Sequence, residues 1–301
     1  MSKLIDATAG RLCRAPIPMV IAAACLTWLG PAHAETVLEK IKRQGQITVG
    51  YREDAAPFSS TDDQKRAVGY SVEYCEAVVA QIRQGVPNLR VNVRAVDIDR
   101  IMSFVKDGVV DLFCSNVSDT QERRALVSFS KPVFFDGVSV AVRKKDGIAG
   151  VDQLNGKAVV VIKSATTSDA LDAYRQKKSL SWKVESALNA DAALSQLQLG
   201  WVQGYARDTV PLAVQMVGVA NADQYTLLPE RLSTEAIAIA FRKDDAELQA
   251  LVNAVITDAA SSGKAKASYD KWFMQPISLG GKTKTLGIPM SAELKAALEA
   301  K

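Results

Sequence analysis

Histidine is almost absent from this chain. The single one, His33, lies within the first 34 residues, a stretch with the marks of a removable leader. A mature chain without histidine has no Ser-His-Asp triad, no imidazole base and no histidine-ligated metal. That weighs against an enzyme, and neither a metal nor another cofactor is expected. Cysteine is nearly as scarce. Of the four present, Cys13 and Cys25 fall in the same leader, which leaves Cys75 and Cys114. Two are too few for a disulfide framework or a cysteine zinc site. The expectation is a pair of buried free thiols, because free cysteine is among the most buried residue types. A disulfide is the alternative in an oxidising compartment. An excess of one charge is also lacking. The formal net charge is +4, and half of it belongs to the leader, where Lys3, Arg11 and Arg14 outnumber Asp6. A nearly neutral remainder does not fit a nucleic-acid-binding protein. Beyond the leader no apolar run approaches the ~20 residues of a membrane span.

The leader has three parts. A basic start is followed by an apolar run over residues 17–29, and Ala32-His33-Ala34 then supplies small residues at both positions a signal peptidase reads. This is the pattern of a secretory signal, cleaved after Ala34, and it places the mature chain in the periplasm. A retained anchor and lipidation at Cys25 after Ala22-Ala23-Ala24 are the other readings.

Hydrophobic periodicity then alternates between two and 3.6 residues. Gln46 to Tyr51 reads as a strand, residues 70–83 as an amphipathic helix, 89–96 as a half-buried strand, 97–107 as a second helix closed by Gly108, and 109–114 as a strand. After the charged stretch 143–147 the order restarts: strand 158–162, a helix capped by Thr167 or Ser168, strand 182–184, helix 190–199 ended by Gly200, and strand 202–206. Two β-α-β-α-β units imply two α/β lobes with parallel sheets and a ligand cleft between them at the carboxyl strand ends. Residues 35–137 with 241–301 make one lobe and 143–235 the other. Strands 138–142 and 236–240 are expected to run side by side as the connection.

Polar residues follow the expected strand ends. Arg123 closes the loop Ser115-Asn116-Val117-Ser118 and offers a planar fork suited to a carboxylate. Ser164, Thr166, Thr167 and Ser168 stand at a helix start, where free N–H groups and hydroxyls favour an anion. Asp208 follows a strand and suits an ammonium group. Together they match a zwitterion, while a capped loop, an N-cap and a surface turn are the plainer alternatives.

Several segments, in order, carry a resemblance: Tyr51-Arg52-Glu53, Pro57-Phe58-Ser59, Gly69-Tyr70-Ser71-Val72, Glu122-Arg123-Arg124, Ala165-Thr166-Thr167-Ser168, Phe241-Arg242-Lys243-Asp244-Asp245 and Asp270-Lys271-Trp272-Phe273. The chain resembles the family-3 extracellular solute-binding proteins of bacterial ABC importers, and most closely their glutamate/aspartate-binding branch. The resemblance implies a two-lobed type II periplasmic-binding-protein fold, a hinged trap with two connecting strands. It implies a monomer that serves a membrane permease. It assigns Arg123 to the ligand α-carboxylate with Ser118 and Asn116 beside it, Thr166 and Thr167 to the same end, Asp208 to the ammonium, and Arg52 and Arg100 to a side-chain carboxylate. Asp97 stands where that branch has a small hydroxyl residue, and Ala190 where it has histidine. Two cations against one anion favour glutamate or aspartate. A neutral or cationic ligand (glutamine, asparagine, arginine) is the alternative, as is a periplasmic dehydratase on the same fold.

N-terminal sequencing of the exported protein tests the leader. A start at Glu35 is expected, and a lipid-modified Cys25 or an intact Met1 contradicts it.

Overall fold

The computed structural model describes residues 35–279 and 282–299. The leader and its cleavage after Ala34 lie outside them. Two five-stranded sheets have the same plan. In the first lobe the order is Arg90–Ala95, Gln46–Tyr51, Leu112–Phe113, Ala240–Arg242, Val127–Phe129. The first three strands are parallel, and Ala240–Arg242 is antiparallel to both neighbours. In the second lobe Lys183–Ala187, Ala158–Ile162 and Gly204–Asp208 are parallel, and Val138–Arg143 and Tyr225–Leu227 complete the sheet in antiparallel fashion.

The helix expected over 97–107 is a 3-10 turn, Ile98–Arg100, and a short helix, Ile101–Lys106, while the others form where the periodicity placed them, over Tyr70–Gly85, Thr167–Lys178 and Ala190–Leu199. Asn189 caps the last of these by accepting from the Ala192 N–H at 2.9 Å, and Gly200 ends it in the left-handed region at φ 80°. The cap of Thr167–Lys178 differs from expectation: Thr166 takes the N-cap position and makes no side-chain cap bond, because its hydroxyl is used in the cleft. The helix Ala246–Ser261 buries Leu248, Val252 and Ile256 in the first lobe, against a core that also holds Phe58, Tyr70, Phe134, Tyr269 and Phe273. The strand Arg90–Ala95 is more exposed than its alternation suggests, with Val93 at 53%, because it is a sheet edge. No helix among the described residues is long and apolar enough to cross a membrane.

The connection differs from the one expected. Val138–Arg143 is wholly buried inside the second sheet, and Ala240–Arg242 lies in the first. The two passages of the chain pair four residues earlier on the first strand, Phe134–Asp136 against Glu235–Ile237, with Glu235 opposite Asp136. The apolar alternation of 138–142 marks a buried strand but does not say which sheet receives it. Just after this pair, Gly137 packs directly on the Ser233 carbonyl, and a Cβ there would collide with it.

Cys75 and Cys114 are joined in a disulfide with their Cα atoms 6.3 Å apart, not held as free thiols. The helix Tyr70–Gly85 lies over its own sheet, so a thiol on its inner face meets the residue that follows Leu112–Phe113. The bond closes a loop with a sequence separation of 39, which in the chain-entropy treatment is worth up to ~4 kcal/mol. The double variant Cys75→Ala/Cys114→Ala is expected to lose about 2–4 kcal/mol in urea unfolding. An unfolding midpoint unchanged by the variant or by reductant counts against the bond.

Candidate functional site

The carboxyl ends of both parallel sheets converge on one cavity. Arg52, Ile98, Asn116, Ser118, Arg123, Ile162, Thr166, Thr167, Arg207 and Asp208 line it, and its volume is about 20 Å³. That is room for about one water.

Arg52 leaves the end of the strand Gln46–Tyr51 and is buried. Its guanidinium grips Asp54 with two bonds of 2.9 Å, Nε to Oδ1 and Nη2 to Oδ2. Behind it a chain of hydroxyls runs inward: the Arg52 N–H donates to Ser59 Oγ, Ser59 Oγ to Ser115 Oγ, and Ser115 Oγ to Asn116 Oδ1. Asn116 Nδ2 then crosses the cleft and donates to Asp208 Oδ2 at 2.6 Å. Its amide is thereby held with oxygen inward and nitrogen toward the second lobe.

Arg123 sits in the single turn Gln121–Arg124, whose N-cap Thr120 accepts from the Arg123 N–H at 3.2 Å. Its guanidinium donates to the Ser118 carbonyl at 3.1 Å and, across the cleft, to the Ser164 carbonyl at 3.4 Å. Ser118 and Thr166 hydroxyls meet across the cleft at 3.4 Å, and Thr166 Oγ1 donates to Glu235 Oε2 at 2.7 Å. Burial pushes the Arg52 and Arg123 guanidinium groups below their ordinary values, opposed for Arg52 by Asp54 and for Arg123 by Asp208 and Glu235. Both remain cations. Asp208 is pushed up, first by burial and then by Glu235, with Arg207 opposing.

A family model for bacterial extracellular solute-binding proteins, family 3, matches residues 47–275. The chain belongs to that family. A relative named L-glutamate/L-aspartate-binding protein, from Pseudomonas aeruginosa, is 31% identical over 86% of this chain and 86% of its own. A glutamate/aspartate import solute-binding protein from Salmonella typhimurium is 29% identical over 90% of this chain and 92% of its own. Among solved structures, an ancestral arginine-binding protein bound to arginine is similar with a TM-score of 0.67 at 26% identity, covering 76% of this chain and 98% of its own. The fold is that of the type II periplasmic amino-acid-binding proteins.

Of the residues that the sequence nominates in this family-3 chain, seven meet at the cavity: Arg52, Asn116, Ser118, Arg123, Thr166, Thr167 and Asp208. Asp208 is the last residue of its strand Gly204–Asp208, not part of a following turn. Two residues lie elsewhere. Arg100 is exposed and lies over the Phe104 ring, 6.0 Å from its centre. A tight 3-10 turn, Ile98–Arg100, precedes the helix, and Ile98 is the residue that faces the cavity. Residues two apart on a helical turn do not share a face, so Arg100 points away. Asp97 makes no capping bond and lines a wider outer recess with Glu53, Asp54 and Lys163. Ala190 lines the same recess.

Three charged residues were missed. Arg207 is buried, donates Nη1 to Gln215 Oε1 at 3.0 Å and reaches over the cleft to the Asp54 carbonyl at 2.6 Å. A charge inside a strand that is otherwise wholly buried was the available signal, because burial of a charge is costly unless it is paired. Asp54 and Glu235 gave no such signal.

Asp136, on the connecting pair, is also buried. It accepts from the Gly137 and Val210 N–H groups and from Arg231 Nη2 at 3.3 Å. Burial, and then Asp208, push its carboxyl up to about 7. An unfolded aspartate releases its proton near ~3.9. The native state therefore holds an extra proton between these values, and this group makes stability fall as pH rises through that window. Unfolding of wild type and Asp136→Asn across that range checks the sign: the variant is expected to lose stability less steeply toward neutral pH, and parallel profiles contradict the assignment.

Proposed function

We infer that this protein captures a free amino acid in the periplasm, most favourably glutamate or aspartate, and presents it to the permease of an ABC importer as a monomer. The observation that carries the reading is the opposition of Arg123 and Asp208 on one cavity between two lobes. A guanidinium fork with Ser118 and Thr166 hydroxyls beside it suits an α-carboxylate. Asp208 has a neutral amide as its hydrogen-bond partner, and an α-ammonium offers the full positive charge that its buried position favours.

The side-chain preference rests on a charge count. Arg52 and Arg207 share one paired carboxylate, Asp54, and Asp208, which also attracts both, is taken up by the ligand ammonium, so one positive charge is left over for the ligand side chain. The relatives named for glutamate and aspartate support the same choice. Binding works by population shift. Ligand bonds formed to both lobes stabilise the closed form, and the connecting pair Phe134–Asp136 and Glu235–Ile237 takes up the motion. The disulfide fits an oxidising compartment, which supports export. The protein acts as a carrier that returns its ligand unchanged, not as a dehydratase.

Calorimetry with glutamate, aspartate, glutamine and arginine tests the reading, with recovery of intact ligand afterwards. Arg123→Ala and Asp208→Ala are each expected to weaken binding by ~2–5 kcal/mol, the cost of stranding one member of a buried charge pair. Wild-type affinity in both variants would show that the ligand sits elsewhere.

A further inference from the structure

Between the two lobes runs a second set of contacts, distinct from the Asn116–Asp208 bond. Asp54, from the first lobe, receives Arg52 with both carboxylate oxygens. Arg207, from the second lobe, donates Nη2 to the Asp54 main-chain carbonyl at 2.6 Å and lies 3.9 Å from Asp54 Oδ2. Arg207 is itself fixed from behind. Gln215 Oε1 accepts its Nη1 at 3.0 Å and also accepts the Tyr205 hydroxyl, while Gln215 Nε2 donates to the Ala190 carbonyl at 2.9 Å. Both arginines line the ligand cavity. Asp54 lines only the outer recess, and its side chain keeps 37% of its exposure.

This arrangement leaves one N–H edge of each guanidinium unused by these bonds. Arg52 spends Nε and Nη2 on Asp54 and keeps Nη1. Arg207 spends Nη1 on Gln215 and Nη2 on Asp54 and keeps Nε. Two cations from opposite lobes are held at the same cavity, with one carboxylate between them at its outer side.

Resting on the reading above, we propose that Arg207 is a specificity-determining residue of this site and Asp54 its counterweight. Arg207 is the second cation for a ligand side-chain carboxylate, the part that Arg100 does not play. Because it comes from the second lobe and is latched to Asp54 of the first, its attraction is exerted only when the lobes are closed. Preference for a carboxylate over an amide is therefore expressed at closure. Asp54 subtracts one charge and orients both forks, so it limits that preference while it aligns the arginines.

The test compares glutamate with glutamine, which differ in side-chain charge and little in shape. In calorimetry Arg207→Gln is expected to lower the glutamate-to-glutamine affinity ratio by at least about tenfold, the loss of one charge-assisted bond, with glutamine binding kept within about threefold. Arg207→Lys keeps the charge without the fork and should lie between. Asp54→Asn retains an acceptor for Arg52 and removes the negative charge, so the ratio should rise. Arg100→Ala should leave it as in wild type. The Asp54 variant, at a partly exposed position, keeps the proposal open to refutation if Arg207 variants fold poorly. A glutamate-binding wild type whose ratio is unmoved by Arg207→Gln, or falls with Asp54→Asn, overturns this inference alone. A wild type that prefers a neutral or cationic ligand overturns the acidic reading and this inference together.

Discussion

Asn116 donates to Asp208 across the cleft at 2.6 Å, and through that bond two sheets that share no strand meet at their carboxyl ends. The other cleft contacts are arranged around it. Asn116 is held from behind by Ser115 and Ser59, and Ser59 also receives the Arg52 N–H. On the far side Asp208 ends one strand and begins the helix Thr209–Gly218, so its carboxylate has little freedom. A neutral donor on a buried carboxylate is a modest partner compared with a cation. The same position is therefore both a joint between lobes and a place where an ammonium group gains most.

Charge is what links the joint to the connection. Asp136 lies on the crossing pair and feels Asp208 directly. The helix Thr209–Gly218 starts between them: the Val210 N–H points to Asp136, and the Thr209 N–H and hydroxyl both donate to the Gly137 carbonyl. Glu235, opposite Asp136 in the crossing pair, accepts from Thr166 in the cleft. On the proposed reading, ligand charge near Asp208 is coupled, through short polar contacts, to the strands that bend as the lobes part.

Fold and ligand identity are separate questions here. Relatives in sequence are named for glutamate and aspartate, and a similar fold occurs in a structure described as bound to arginine, so the architecture does not choose the side chain. On the proposed reading the choice falls to a few charges around the cavity. Reading Arg52 and Arg100 against Asp97, or Arg52 and Arg207 against Asp54, leaves the same surplus of one cation. The balance survives although two of the three residues in it change.

What the sequence determined is what neighbours along the chain decide: the order of strands and helices, the Asn189 cap and Gly200 stop, the two α/β units, and the Asn116, Ser118, Arg123 and Thr166 group at strand ends. Periodicity and capping act over a turn or two, so they can be read without a fold. Pairing at a distance was decided only by the tertiary structure. It joined Cys75 to Cys114, gave the crossing to Phe134–Asp136 in place of the strand that follows it, turned Arg100 outward through a tight turn, and brought Arg207 to Asp54 from the opposite lobe. Each of these depends on which surfaces meet when two sheets close, and residues far apart in the chain carry no local mark of their partner.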